Sequence, residues 1–106
     1  ELPLFSQKTQ FDILSSYHLY VVRLDGSNTK FTNKDLYSSL HKAGIGANLH
    51  YIPVYRHPYY EALGFKSGYC PEAERYFKNA ITLPLYPLLK PSDHDYVIKS
   101  LRDLFH

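Results

Sequence analysis

Gly44–Tyr60, GIGANLHYIPVYRHPYY, decides the fold, because three kinds of backbone meet within it. Gly44 followed by Ile45 reads as a left-handed helix stop with its apolar contact, so a helix ends here. Ala47–Ile52 then reads as a strand. Its alternation sets Asn48, His50 and Ile52 on one face and Ala47, Leu49 and Tyr51 on the other. Pro53 lacks the N–H a ladder needs and ends that strand. Val54–Tyr69 is too irregular for one regular element, and reads as a loop with a short helical turn around Tyr59–Leu63.

Toward the N-terminus, Thr32 precedes Asn33-Lys34-Asp35, so its hydroxyl can cap a helix whose third position carries a capping-box carboxylate. Leu36, Tyr37, Leu40 and Ala43 follow at helical spacing, which predicts a helix over about Asn33–Ala43. Tyr17–Leu24, YHLYVVRL, is β-branched and aromatic and runs into the turn cluster Asp25-Gly26-Ser27-Asn28, so it is expected to be a central strand. Residues 1–16 show no sustained period and read as a connecting segment.

Toward the C-terminus, Pro71 suits a first helical position, with Glu72 and Glu74 where the helix dipole favours them. Ala73, Tyr76, Phe77 and Ala80 form the apolar stripe expected to be buried. Ile81–Leu85 is a short strand interrupted by Pro84, hence at an edge or end. Pro91-Ser92 opens a last helix, with Ser92 as its expected cap and Val97, Ile98, Leu101, Leu104 and Phe105 as its apolar face. The order predicts an α+β fold over residues 17–106: a small antiparallel or mixed sheet of about three strands packed on helices, mainly on one face. Tyr17, Tyr20, Tyr51, Tyr55 and Tyr86 are expected to load the other face with more aromatic surface than a solvated face carries, which calls for a docked partner.

A chain of 106 residues supports one core and excludes a tandem architecture. Eleven tyrosines, with no Trp or Met, supply many rings whose polar tips need partners. A net charge of +2 without a Lys or Arg run gives little drive toward nucleic acid or an anionic membrane. The single Cys70 has no partner for an internal disulfide, and no apolar run reaches membrane-span length, which fits a cytoplasmic, reducing compartment. Cys70 itself reads as a small apolar filler.

The strongest concentration of chemistry is His50-Tyr51-Ile52-Pro53 with Tyr55-Arg56-His57-Pro58-Tyr59-Tyr60. Side chains at a strand end, where an irregular loop begins, sit at a rim on a rigid support. His and Tyr there suit sugar hydroxyls, the rings suit apolar sugar faces or a uracil, and Arg56 suits a diphosphate. The bland alternative is a structural histidine bonded to a carbonyl and tyrosines packed on a neighbouring domain. Composition alone favours that alternative for any one residue. No metal site is expected, since neither a paired C-x-x-C nor an H-x-x-x-H occurs. His41 and His94 read as solvated, and Glu72/Glu74 and Asp93/Asp95 as dipole partners rather than acid–base pairs. A stand-alone binding or interaction module, whose aromatic sheet face takes single-stranded nucleic acid or a protein partner, is the alternative function class. The missing RNP signature and the low charge count against nucleic acid.

Tyr17-His18-Leu19-Tyr20, Gly44-Ile45, His50-Tyr51-x-Pro53, Tyr59-Tyr60, Pro71-x-Ala73-Glu74 and Leu83-Pro84-Leu85, in this order, resemble the C-terminal small domain of the DegT/StrS-type sugar aminotransferases, enzymes that use pyridoxal phosphate (PLP). Within that family the chain is most similar to the pseudaminic-acid-pathway transaminases, which aminate a UDP-linked 4-keto-6-deoxy sugar with glutamate as donor. The resemblance implies a fold-type I small domain, a large domain outside this chain that holds PLP, and a homodimer. It also implies a role in surface-polysaccharide or glycan biosynthesis. By position it assigns substrate contacts to Asn48, Leu49 (through its backbone), His50 and Tyr51, with Arg56 and His57 as further candidates. No lysine of this chain stands in the family's cofactor-lysine context, a Ser-containing segment followed by glycines, so the resemblance implies that the chain alone is inactive.

Overall fold

The computed structural model describes residues 1–106. A three-stranded antiparallel sheet has the order β1 (Leu4–Ser6), β2 (Tyr20–Leu24), β3 (Ala80–Leu83). Around it lie α1 (Asn33–Lys42), a 3-10 turn (Val54–Arg56), α2 (Pro58–Ala62), α3 (Pro71–Asn79) and α4 (Pro91–Phe105). The register sets Val22 opposite Ile81 and Tyr20 opposite Leu83. Period-two alternation therefore turns these residues, with Leu24, onto one face. There they meet Leu36 and Leu40 of α1, Ile45, Ala47, and Val97 and Leu101 of α4 to form the core.

The local signals that make α1 are all present. Thr32 Oγ1 accepts from the Asp35 N–H (3.2 Å) and Asp35 Oδ2 accepts from the Thr32 N–H (3.0 Å), a complete capping box. The Thr32 hydroxyl, which donates to Asp35 Oδ2 (2.7 Å), and then the Thr32 N–H hold the Asp35 carboxyl below its ordinary pKa. At the other end Gly44 takes φ of 75°, which lets the Ile45 N–H reach back to the Leu40 carbonyl (2.9 Å) and buries the Ile45 side chain.

The structure corrects several expectations. Leu4–Ser6, within the segment read as a connector, is the edge strand β1 paired with β2. Three residues are too few for a visible period. The strand expected over Ala47–Ile52 is reduced to a single bridge, Asn48 opposite Thr82. Continued antiparallel pairing would bring Ile52 opposite Lys78, but the chain before Ala80 is already helix α3, so no partner strand exists beyond His50. Alternation nevertheless survives through His50. Ala47 is buried and Leu49 packs on the core, whereas His50 meets Thr82 across the bridge.

Helix α3 lies against β2 but buries no residue of its own; Ala73 and Tyr76 are exposed and Phe77 is half-buried. Its C-terminus is held by the Asn33 side-chain amide, which donates to the Phe77 carbonyl at 2.7 Å. In α4 the capping position falls on Lys90, with Pro91 as first helical residue, so Ser92 lies inside the helix and makes no cap. The expected aromatic sheet face does not form. Tyr20 points to the core, Tyr55 is buried in the 54–70 loop, and the face opposite the core carries Phe5, Val21 and Arg23 beside Tyr76. Cys70 is exposed at the start of α3 rather than filling a core gap.

The 54–70 loop has its own fastening. Tyr55 donates from its hydroxyl to Glu74 Oε1 (2.6 Å), the Gly68 N–H donates to the same oxygen (2.7 Å), and Arg56 Nη1 lies 3.9 Å away. Glu74 is thus a hub for the loop as well as a first-turn carboxylate. The Tyr55 and Gly68 bonds hold the Glu74 carboxyl below its ordinary pKa, and burial, with the Glu74 bond, pushes the Tyr55 phenol up. An edge-to-face chain of rings, Tyr55–Tyr69 (5.5 Å), Tyr69–Phe65 (5.0 Å) and Phe65–Tyr60 (6.2 Å), runs along the loop from the buried Tyr55 to the exposed Tyr60.

Two outcomes follow from these contacts. Thr32→Ala removes the cap and is expected to cost about 1 kcal/mol, lowering Tm by about 4–8 °C in thermal unfolding followed by circular dichroism. Glu74 has a folded pKa below its unfolded value, so its contribution is complete above the ordinary carboxylate range and is lost as pH falls through the folded pKa. Glu74→Gln is therefore expected to melt below the parent chain at neutral pH, with the gap closing on titration to about pH 3. A pH-independent gap would show that the Glu74 charge adds nothing.

Candidate functional site

The site is built on the outer edge of β3. All four β3 residues are buried, so the outward N–H and C=O of Thr82 need partners. Asn48 supplies both: its N–H donates to the Thr82 carbonyl (3.0 Å) and its carbonyl accepts from the Thr82 N–H (2.8 Å). One residue before, the Ala47 carbonyl accepts from Nε2–H of His41 (2.8 Å), whose ring stacks against Tyr37 at 4.2 Å. His41, read from sequence as solvated, is thus a structural tie between α1 and this segment. Nothing local signals it, because the bond depends on the return of the chain after Gly44.

Beyond the bridge, His50 Nδ1 lies 2.8 Å from Thr82 Oγ1, and the His50 ring meets the Tyr51 ring at 4.5 Å and 67°. The peptide between His50 and Tyr51 is cis. Asn48 and His50 line one groove of about 470 Å³, which continues past Pro84 and Tyr86 to Asp93 and Tyr96 at the start of α4. The Asn48 side chain is exposed and makes no hydrogen bond within the protein. Tyr96 is anchored through its hydroxyl to the Ala43 carbonyl (2.9 Å).

The sequence-predicted residues fall into three places. Asn48 and His50 share the groove. Leu49 lies between them with its side chain on the core and its N–H and C=O unpaired with other backbone, and Tyr51 stands outside the groove, 70% exposed. Arg56 and His57 lie apart. Arg56 bonds Glu61 Oε1 (3.2 Å) and Ser67 Oγ (3.1 Å), so its guanidinium is committed to the loop's own network. His57 starts α2, where its carbonyl accepts from the Tyr60 and Glu61 N–H groups and its side chain makes no cap. Thr82 was missed by sequence reasoning. A Thr in a short apolar strand carries no signal until its pairing with Asn48 is known.

No three His, Cys, Asp or Glu side chains are grouped to hold a metal ion, and no helix is long and apolar enough to cross a membrane. The groove lining contains no lysine and no arginine. It has nothing with which to link or neutralise a phosphorylated aldehyde cofactor, so these residues do not fit PLP. Dispersal of the tyrosines also removes the stacking platform that single-stranded nucleic acid requires.

The chain is 37% identical over 91 residues to the spore coat polysaccharide biosynthesis protein SpsC of Bacillus subtilis, covering 84% of this chain and 23% of that protein. Its fold superposes on the putative sugar aminotransferase Spr1654 of Streptococcus pneumoniae in its PMP form, with a TM-score of 0.85 and 33% identity over 96% of this chain and 26% of the other. Helicobacter pylori PseC, an aminotransferase of pseudaminic acid biosynthesis, matches with a TM-score of 0.75 and 31% identity, over 86% of this chain and 24% of that one. The chain therefore spans about a quarter of the length of the relatives it matches. With residues 2–102 matching the family model, the chain belongs to the DegT/DnrJ/EryC1/StrS aminotransferase family.

Proposed function

We propose that this chain is the substrate-facing small domain of a nucleotide-sugar aminotransferase. The enzyme transfers an amino group from glutamate to a UDP-linked 4-keto-6-deoxy sugar in surface-polysaccharide or glycan biosynthesis. The observation that carries the reading is the pairing of Asn48 and His50 on one groove rim, held by β3 in a chain of this family. Both side chains offer donors and acceptors of the kind a sugar's hydroxyl and carbonyl oxygens require. The relatives named for spore-coat polysaccharide and pseudaminic acid support the glycan context.

In this reading Asn48 and His50 bind and orient the sugar, the unpaired backbone groups of Leu49 add directional bonds, and Tyr51 covers an apolar sugar face. Arg56 and His57 serve the loop that flanks the site. PLP supplies the electron sink for amino transfer and is held by a large domain outside this chain. Exposed Phe11, Leu14, Val54 and Tyr59 offer apolar area for docking that domain and a second subunit of a homodimer in the cytoplasm.

Two measurements test this. PLP titrated into the purified chain is expected to keep the absorbance spectrum of the unbound cofactor, and the chain to transfer no amino group; a new bound-cofactor band would overturn the assignment. In the complete aminotransferase, His50→Ala is expected to raise KM for the nucleotide-sugar about 2- to 10-fold, the loss of one neutral hydrogen bond. The half-reaction with the amino donor should not change. A large drop in Tm with unaltered sugar kinetics would make His50 a structural residue instead.

A further inference from the structure

Thr82 is the one polar residue of β3, and it is buried, with 5% of its surface exposed. Its N–H and C=O both pair with Asn48, and its Oγ1 lies 2.8 Å from His50 Nδ1. One residue therefore holds both groove-lining candidates, Asn48 through its backbone and His50 through its hydroxyl. The hydroxyl has no second partner in the protein. That restricts the proton positions.

A neutral imidazole carries its proton on one nitrogen. Were it on Nδ1, the ring would donate to Oγ1 and leave the buried Thr82 hydroxyl proton without an acceptor, an arrangement folded proteins avoid. With the proton on Nε2, the hydroxyl donates to Nδ1 and both groups are satisfied. Nε2–H then has no partner within the protein and is the atom left for a ligand.

We infer that Thr82 is a positioning residue that fixes His50 as its Nε2–H tautomer, presenting a hydrogen-bond donor to an oxygen of the sugar substrate. The inference rests on the reading of His50 as a sugar contact and adds the direction of that contact. A donor at this place can donate to carbonyl, ether and hydroxyl oxygens alike and rejects a group that can only donate, such as an ammonium. The selectivity would therefore favour the keto-sugar over the aminated product where the reacting carbon lies against His50.

The test has a spectroscopic arm and a kinetic arm. In the 106-residue chain labelled with nitrogen-15 at histidine, long-range nitrogen–proton correlation is expected to show His50 protonated at Nε2, with the assignment made by His50→Ala. Thr82→Val keeps the shape of the side chain and removes the hydroxyl, and should release the ring to mixed tautomers. Thr82→Ser should restore the parent pattern. In the complete aminotransferase, Thr82→Val should raise KM for the nucleotide-sugar several-fold, leave the amino-donor half-reaction unchanged, and be rescued by Thr82→Ser. A His50 protonated at Nδ1, or a tautomer indifferent to Thr82→Val, overturns the positioning role. Sugar kinetics that respond to His50→Ala but not to Thr82→Val overturn it while sparing the substrate contact. Kinetics silent to both variants, with the tautomer as expected, would instead remove the sugar reading on which the inference rests.

Discussion

The paired backbone hydrogen bonds between Asn48 and Thr82 are the constraint on which the site depends. Strand β3 is buried along its whole length although it lies at one end of the sheet, so its outward polar groups cannot turn to water. The returning chain after α1 satisfies them. That same pairing fixes the phase of the segment, so that Ala47 and Leu49 go to the core and His50 goes over Thr82. A slip of one residue would bury His50 and expose Leu49, losing apolar burial and stranding an imidazole in the core. The core therefore enforces the geometry of the rim.

What could be read from the sequence is what is encoded locally. The capping box at Thr32 and Asp35, the Gly44–Ile45 stop and Pro71 as a first helical residue act over a few residues, and each appears where its pattern places it, whereas the strand expected over Tyr17–Leu24 forms only over Tyr20–Leu24. Failures occur where a partner distant in sequence decides. The length of the 47–52 strand was set by where α3 gives way to β3, and the burial of Tyr55 by a carboxylate 19 residues away. Ser92 illustrates a different competition: Pro91 takes the first helical position, which moves the cap to Lys90 and leaves the serine inside. For the site, the grouping of Asn48 with His50 follows from alternation alone, whereas the separation of Arg56 needs the Glu61, Ser67 and Glu74 contacts that only the folded loop supplies.

The molecule measures 48 × 35 × 25 Å, with a radius of gyration of 15.6 Å, against about 13 Å for a compact domain of this length. The excess matches the organisation described above: a small core under the sheet, and a 54–70 loop held by its own ion network and ring chain rather than by that core. Two stabilising systems meet at Ile52-Pro53. The loop can thus change in sequence without disturbing β3, as long as a carboxylate at the Glu74 position still gathers Tyr55 and the Gly68 N–H.

Specificity and stability separate along the same line. A residue that binds sugar from a loop would owe its aim to whatever the loop packs against, and binding would then vary with loop order. His50 is held differently, because its ring is bonded to a buried side chain of the sheet while its outer nitrogen has no partner in the protein. In the proposed reading of His50 as a sugar contact, the ordering cost of the imidazole is met during folding, so less must be drawn from binding. A threonine serves that end better than a charged or amide side chain would. Its side chain is buried, and its single hydroxyl has one partner, the Nδ1 atom of His50.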